Sequence, residues 1–397
     1  MKFGGSSVAD AERLQRVAWR IAETYSEGND VVVVLSAQGS TTDDLIEKAK
    51  EINPNPSKRE MDVLLSTGEQ ISIALMSMTL ESIGLPATSL TGWQIRMQTN
   101  SDYSNARVKS VSSERIKAEL DRRRIVLIAG FQGINKFDDI TTLGRGGSDT
   151  TAVAIAAALH ADLCQIYTDV EGVYTSDPNK IPGARKLEEI TYDEMLELSS
   201  LGAQVLHNRS VEMAKRYGVE LEVLSSFVRK PGTKVKEVTK VEQSKISGVA
   251  KDAKIARIAL VGLRDEPGVA FKVFQLLAKA KINVDIILQS IGRDNSKDIS
   301  FTIARDDMDT AQKLLADNKT ALGYNDISVT DKITKVSIVG AGMMSASGVA
   351  ALMFEALYDA KINIGMISTS EIKISVLVDE KDGDRAVEAI HARFFES

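Results

Sequence analysis

Cysteine is almost absent from this chain: its 397 residues include one, Cys164, inside the apolar run "ADLCQIYTD". One thiol excludes an intramolecular disulfide framework and fits a reducing, cytoplasmic compartment. Histidine is nearly as scarce. His160, His207 and His391 stand far apart, with no HExxH or CxxC spacing, so no protein-held metal is expected. No apolar run is long enough to cross a bilayer, and the opening residues lack the apolar stretch of a signal peptide. An excess of positive charge is missing too. Lys and Arg number 49 against 55 Asp and Glu, a formal charge of −6, which argues against a general nucleic-acid binder. The GxxxxGK[ST] phosphate loop and the HRD and DFG signatures of protein kinases do not occur. If a phosphate is transferred, another scaffold does it.

What is present is an ordinary globular composition, 43% hydrophobic and 26% charged, over a length that predicts two or three domains. Residues 1–227 alternate strands and helices. "DVVVVLSA", "RIVLIAGFQG", "ADLCQIYTDVEG" and "VELEVLSSF" are continuous apolar runs, as buried parallel strands would be. Helices are expected over 9–25, 60–83, 112–123, 148–160 and 191–217. This alternation implies an α/β layered domain with a parallel sheet, whose ligands sit at the carboxyl ends of the strands. The loops of interest are therefore 4–7, 36–44, 130–149 and 169–180. Residues 228–247 are polar and lysine-rich with a Pro-Gly, and read as a crossing segment between domains. Beyond them lies an internal repeat at an offset of about 80 residues. "GVAFKVFQLLAKAKINVDIILQS" from Gly268 matches "GVAALMFEALYDAKINIGMISTS" from Gly348 without a gap. Each copy reads as a βαββαβ, ferredoxin-like unit.

Five stretches carry chemistry. "KFGGSSV" puts a lysine before a glycine pair and a helix start, an arrangement suited to a phosphate. "TTLGRGGSDTTA" runs a glycine loop into an apolar helix, with Ser148 at its cap, Asp149 in its first turn and Arg145 offering a fork for a carboxylate. "YTDVEGVYTSDPNKIPGA" crowds Thr168, Asp169, Tyr174 and Asp177 after a strand, a loop able to hold a nucleotide or magnesium, or simply a set of turns. "LSAQGSTTD" ends a strand in small residues, and "STGEQIS" opens an apolar helix with Glu69. "VGAGMMS" at 339–345 imitates a dinucleotide fingerprint but lacks its third glycine.

Together with "LGAQVLH", these motifs occur in the order and rough spacing of the aspartate kinases, which the whole chain resembles. The resemblance implies an amino-acid-kinase three-layer sandwich with a mostly parallel sheet over 1–228. It further implies a linker over 229–247 and two ferredoxin-like ACT domains over 248–330 and 331–397. It implies ATP- and Mg2+-dependent phosphorylation of the side-chain carboxylate of L-aspartate to 4-phospho-L-aspartate. By motif match, Lys2 would stabilise the transferring phosphoryl group and Asp149 would orient that lysine. Arg145 would grip the α-carboxylate of aspartate, Glu69 its amino group, with Thr42, Gly146, Gly147 and Ser148 beside them. ATP would contact Phe3, Gly4, Gly5, Ser36, Thr168, Asp169, Tyr174, Thr175, Ser176, Asp177, Pro178, Asn179 and Gln204. Three departures stand out. Relatives usually carry several apolar residues before "KFGG", whereas only Met1 precedes Lys2, so the first strand is expected to be short or to begin upstream. Gln204 replaces a common lysine, and Asn179 a common arginine.

The ACT pair implies feedback by lysine, threonine or both. The matching positions are Asp265, Asn283, Val284, Asp285 and Gln289 in the first copy. In the second they are Ala350, Asn363, Ile364, Ser370 and Glu371. A homodimer, or an assembly with a separate C-terminal regulatory fragment, is expected, with no nucleic acid and no membrane as partners. Two alternatives stay open: a non-catalytic amino-acid sensor with a degenerate kinase domain, and a kinase of the same fold acting on another small carboxylate.

Overall fold

The strands Val32–Leu35, Ile125–Ala129 and Cys164–Thr168 form where the sequence places its apolar runs. Such runs are stable only when both faces of a sheet are covered. The computed structural model describes residues 1–200, 205–238, 245–291, 296–344 and 346–396. These strands belong to an eight-stranded sheet. Its order is Glu189–Thr191, Thr233–Lys236, Leu221–Ser225, Cys164–Thr168, Lys2–Phe3, Val32–Leu35, Ile125–Ala129 and Ala87–Leu90. Neighbours run parallel except Leu221–Ser225 against Thr233–Lys236. The expected first strand is thus present as two residues, paired on both sides.

Successive strand residues face opposite sides. Phe3, Val33, Leu35, Leu127 and Ala129 pack with Leu14, Val17 and Ile21 of the helix Ala11–Ser26 and with Ile73, Met76 and Leu80 of the helix Lys58–Ser82. Full burial of each large apolar side chain contributes about 1.5–3 kcal/mol. The helix Gly147–Leu159 covers the other face, against the strands at 2–3, 32–35 and 164–168 and the helix Asn208–Tyr217. Capping explains where the helices begin. Asp10 accepts from the Arg13 N–H at 2.9 Å. Ser57 with Glu60 forms the Ser-x-x-Glu start of the helix Lys58–Ser82, which is long and apolar enough to span a membrane by length and composition. Half of its apolar window is buried in the fold, and it serves as a core helix.

Two expectations are corrected here. The helix expected over 191–217 is two helices, Tyr192–Ser200 and Asn208–Tyr217, the second capped by His207 Nδ1 accepting from the Arg209 N–H. The segment expected as a linker over 229–247 contains a strand of the main sheet, Thr233–Lys236, so the sheet extends past residue 228.

The chain divides into two units. The first holds Met1–Tyr174, Lys186–Ser200 and the described residues up to 238; the second holds Thr175–Arg185 and the described residues from 245 onward. The second unit contains two four-stranded sheets. One runs in the order Val284–Ile291, Ser296–Ala304, Ile255–Arg264, Asp326–Thr330, a complete βαββαβ unit. The other runs Gly248–Asp252, Ile333–Val339, Lys373–Asp379, Met366–Thr369. Its edge strand therefore comes from before the first repeat, and the boundary expected at 248 moves accordingly. Among the described residues the place of the second copy's final strand is taken by Gly248–Asp252. The repeat itself is visible in the backbone. Helices Val269–Lys279 and Val349–Asp359 each start at a left-handed glycine, Gly268 (φ 93°) and Gly348 (φ 84°). Each is followed by a left-handed lysine, Lys281 (φ 60°) and Lys361 (φ 56°).

Candidate active site

The parallel strands at 2–3, 32–35, 125–129 and 164–168 release their loops at one edge of the main sheet, where α/β folds bind ligands. The opening loop is fixed there by close approach. A Cβ on Gly5 would stand 2.5 Å from the Ala37 carbonyl oxygen, so only glycine lets the two loops meet. Ser7 Oγ donates to Ser226 Oγ at 2.9 Å, and Gln38 Nε2 donates to the Val8 carbonyl at 2.6 Å.

Because Phe3 faces the core, Lys2 faces the opposite side of the sheet, where the helix Gly147–Leu159 begins. There Lys2 Nζ lies 2.7 Å from Asp149 Oδ1, both side chains about nine-tenths buried. The helix starts after Gly146, at φ 68°, and a Cβ on Gly146 would meet the His207 ring at 2.4 Å. Ser148 is buried beside Gly130, whose missing Cβ leaves room for the Ser148 hydroxyl. Arg145 is exposed. Gly4, Ser36 and Thr42 are half-buried in the adjoining loops and helix start.

Glu69 sits on the buried face of Lys58–Ser82, 4% exposed. Its Oε1 accepts from the Ala37 N–H at 3.1 Å, and its Oε2 has no hydrogen-bond partner among the described residues. Burial pushes its carboxyl up to about 7, against backbone hydrogen bonds from Ala37 and from its own N–H that pull it down. A buried acceptor left open beside the Ala37 N–H, just past the strand Val32–Leu35, suits an ammonium group.

Several supports escaped the sequence reading. Asp62, fully buried seven residues before Glu69 on the same helix, accepts from Thr142 N–H and Oγ and from Ser104 N–H at 2.7–3.0 Å. Arg209 donates to the Leu143 and Ala106 carbonyls at 2.6 and 2.7 Å. Between them they hold the loop that leads into "GRGGSD". The signal available was an acid on the apolar side of a helix.

The expected nucleotide contacts divide. Thr168 and Asp169 follow the strand Cys164–Thr168, Thr168 Oγ donating to Asp169 Oδ1 at 3.0 Å. Tyr174 pairs with Lys186. Phe3 is corrected: its ring is fully buried and stacks on Tyr167 at 4.4 Å, so its side chain belongs to the core. Thr175 is also corrected. Its N–H, carbonyl and hydroxyl are all engaged inside the fold, by Arg185, Val249 and His391. Ser176 is buried, while Asp177, Pro178 and Asn179 are exposed, with the Asn179 N–H donating to Asp177 Oδ1. Gln204 lies outside the described residues. No cluster of three or more His, Cys, Asp or Glu able to hold a metal occurs among the described residues.

Of the expected effector positions, Asn283, Asp285, Gln289, Asn363, Ser370 and Glu371 are exposed, and Val284, Ala350 and Ile364 are half-buried. Asp265 pairs with Lys297. Asp285 pairs with Lys335 of the other ferredoxin-like module, a lysine only 5% exposed. An irregularity in the pairing of Val284–Ile291 falls at this point.

Comparison with known proteins agrees with this architecture. The amino acid kinase family model matches residues 1–225, and an ACT domain model matches 258–318 and 336–394. An aspartokinase of Mycolicibacterium smegmatis is 51% identical over 99% of this chain and 95% of its own length. An aspartokinase of Corynebacterium glutamicum is 49% identical over the same shares. E. coli aspartokinase III in complex with aspartate and ADP has a TM-score of 0.83 at 28% identity, with 99% of both chains covered. The same enzyme with lysine and aspartate has a TM-score of 0.78. With a kinase sheet, a lysine–aspartate pair at its glycine-rich edge and two ferredoxin-like modules, the chain belongs to the aspartokinase family.

Proposed function

We propose that this aspartokinase transfers the γ-phosphoryl group of ATP to the β-carboxylate of L-aspartate, giving 4-phospho-L-aspartate and ADP. The observation that carries this reading is the Lys2–Asp149 pair, 2.7 Å apart at the start of a helix lined by glycines. Phosphoryl transfer asks mainly for in-line positioning and charge neutralisation. The nucleophile is a carboxylate, already ionised near neutral pH, so the site needs no general base.

Lys2 then neutralises charge on the phosphoryl group in flight, and Asp149 holds that ammonium in place. The N–H groups of Gly4, Gly5, Gly146 and Gly147 approach the phosphates and the helix start adds its partial positive charge. Arg145 takes the α-carboxylate of aspartate with its fork, Glu69 Oε2 takes the ammonium, and Thr42 and Ser148 supply hydroxyls. Ser36, Thr168, Asp169, Tyr174, Ser176, Asp177, Pro178, Asn179 and Gln204 serve the nucleotide. Magnesium arrives with ATP as its counter-charge; the hydroxyl and carboxylate oxygens of Thr168 and Asp169 are the hard donors it prefers.

Lysine, threonine or both act as feedback effectors on the ferredoxin-like modules around Asn283–Asp285 and Asn363–Ile364. Aspartokinase III of E. coli has been solved with lysine, which supports the first of these. The working form is a homodimer or an assembly with a regulatory fragment, in the cytoplasm. A substrate panel with hydroxylamine trapping of acyl phosphates tests the reading. L-aspartate with ATP and magnesium should give the hydroxamate, and added lysine or threonine should suppress it. Phosphorylation of N-acetylglutamate in place of aspartate would refute it.

A further inference from the structure

The segment 175–185 belongs to the second unit, although the residues that flank it, Tyr174 and Lys186, pair with each other in the first. Thr175 anchors its entry. The Thr175 N–H donates to the Arg185 carbonyl at 2.9 Å, and the Val249 N–H donates to the Thr175 carbonyl at 2.7 Å. The Arg185 N–H donates to the Thr175 hydroxyl at 2.9 Å. The same hydroxyl meets Nε2 of His391 at 2.9 Å.

His391 lies on the last helix, Gly383–Phe395, fully buried and stacked on Phe395 with ring centroids 4.7 Å apart. Burial lowers its pKa, so the ring is neutral. Thr175 Oγ and His391 Nε2 share one hydrogen bond whose donor is set by the ring tautomer, and Nδ1 stands 3.8 Å from the Glu396 carboxylate. The far side of the segment is fixed as well. Ile181 packs in the core of the second ferredoxin-like module, and a Cβ on Gly183 would come within 2.0 Å of a Glu396 carboxylate oxygen. Lys180 lies 3.6 Å from Asp384. The exposed tip, Asp177 to Asn179, is therefore carried between two points held by the regulatory module.

We propose that His391 is a positioning residue for the nucleotide-contact segment: through Thr175 it fixes where Ser176–Asn179 stand. The inference rests on the reading of 176–179 as nucleotide contacts. Removing one partner of a buried hydroxyl–imidazole bond leaves the other without it, so the anchor is sensitive to a single side chain.

The test uses the full chain with His391→Leu, His391→Gln and Thr175→Val. The leucine and valine variants should raise KM for ATP about tenfold, equivalent to about 1.4 kcal/mol. Their kcat and KM for aspartate should stay unchanged. Glutamine, whose amide reaches the place of Nε2, should restore the wild-type KM. A structural role alone would lower the melting temperature without separating KM for ATP from kcat. Should His391→Leu fail to fold, Thr175→Val, which keeps the side-chain shape and removes the hydroxyl's bonds to both His391 and the Arg185 N–H, reads the anchor from its other side. Equal losses in all three constants, or a glutamine variant as poor as leucine, overturn the proposal. Calorimetry with ATP alone separates it from the substrate reading. If the wild type binds ATP but phosphorylates no aspartate, a tenfold rise in Kd still supports the anchor and an unchanged Kd overturns it.

Discussion

Glu69→Gln removes a buried charge from the proposed aspartate site while keeping its shape and its acceptor for the Ala37 N–H. In the folded chain the Glu69 carboxyl titrates at about 7, against an ordinary 4.5, because burial disfavours the anion. Each pKa unit is worth about 1.4 kcal/mol, so holding the anion in the empty site costs on the order of 3 kcal/mol. The sign follows from proton counts. Between the two values the folded chain keeps a proton that the unfolded chain has released. Stability is complete below the unfolded value and falls as pH rises to about 7. Glutamine escapes this cost, so the variant without ligand should melt higher than wild type at pH 8 and equally at acidic pH. The substrate reverses the balance. Its ammonium gains a charge-assisted bond of about 1.5–3 kcal/mol from the anion, so the variant should raise KM for aspartate roughly ten- to a hundredfold. Wild-type KM for aspartate should climb about tenfold between pH 8 and pH 6 as the carboxyl protonates, and the variant should show no such slope. KM for ATP should not move. Steady-state kinetics across pH, with thermal melts alongside, read every term. A variant with wild-type KM for aspartate at pH 8, or one that melts lower there, would refute the reasoning.

Other perturbations have equally direct outcomes. Gly5→Ala should abolish turnover, because its Cβ would collide with the Ala37 carbonyl at 2.5 Å and separate the two loops; hydroxamate formation checks this. Gly146→Ala combines a left-handed φ of 68° with a contact on the His207 ring, and should cost upwards of about 1 kcal/mol in a melt and raise KM for aspartate. Lys335→Met frees Asp285 and should shift the concentration of lysine or threonine needed for half-inhibition, with kcat at zero effector unchanged.

The central strands were legible because buried parallel strands write themselves as continuous apolar runs, whereas the cap expected at Ser148 falls inside its helix, which starts after Gly146. Lys2, Asp149 and Glu69 could be picked out because each breaks an apolar or glycine context. What local sequence could not express was pairing across long separations. Thr233–Lys236 looks like linker because an edge region tolerates lysines, and Gly248–Asp252 joins a sheet whose other strands begin at 333. Thr175 reads as a loop hydroxyl until His391, 216 residues away, is seen beside it. Phe3 followed the motif into the list of nucleotide contacts, although strand alternation alone sends its ring to the face opposite Lys2.

The chemistry assigned to the Lys2–Asp149 pair is tested most directly by a double-mutant cycle on kcat with Lys2→Met, Asp149→Asn and both together. If Asp149 works by holding the Lys2 ammonium on the phosphoryl group, Lys2→Met should cost about 10²–10³ in kcat, and adding Asp149→Asn should cost little more. Additive losses, or a Lys2→Met enzyme with near wild-type kcat, would contradict that assignment.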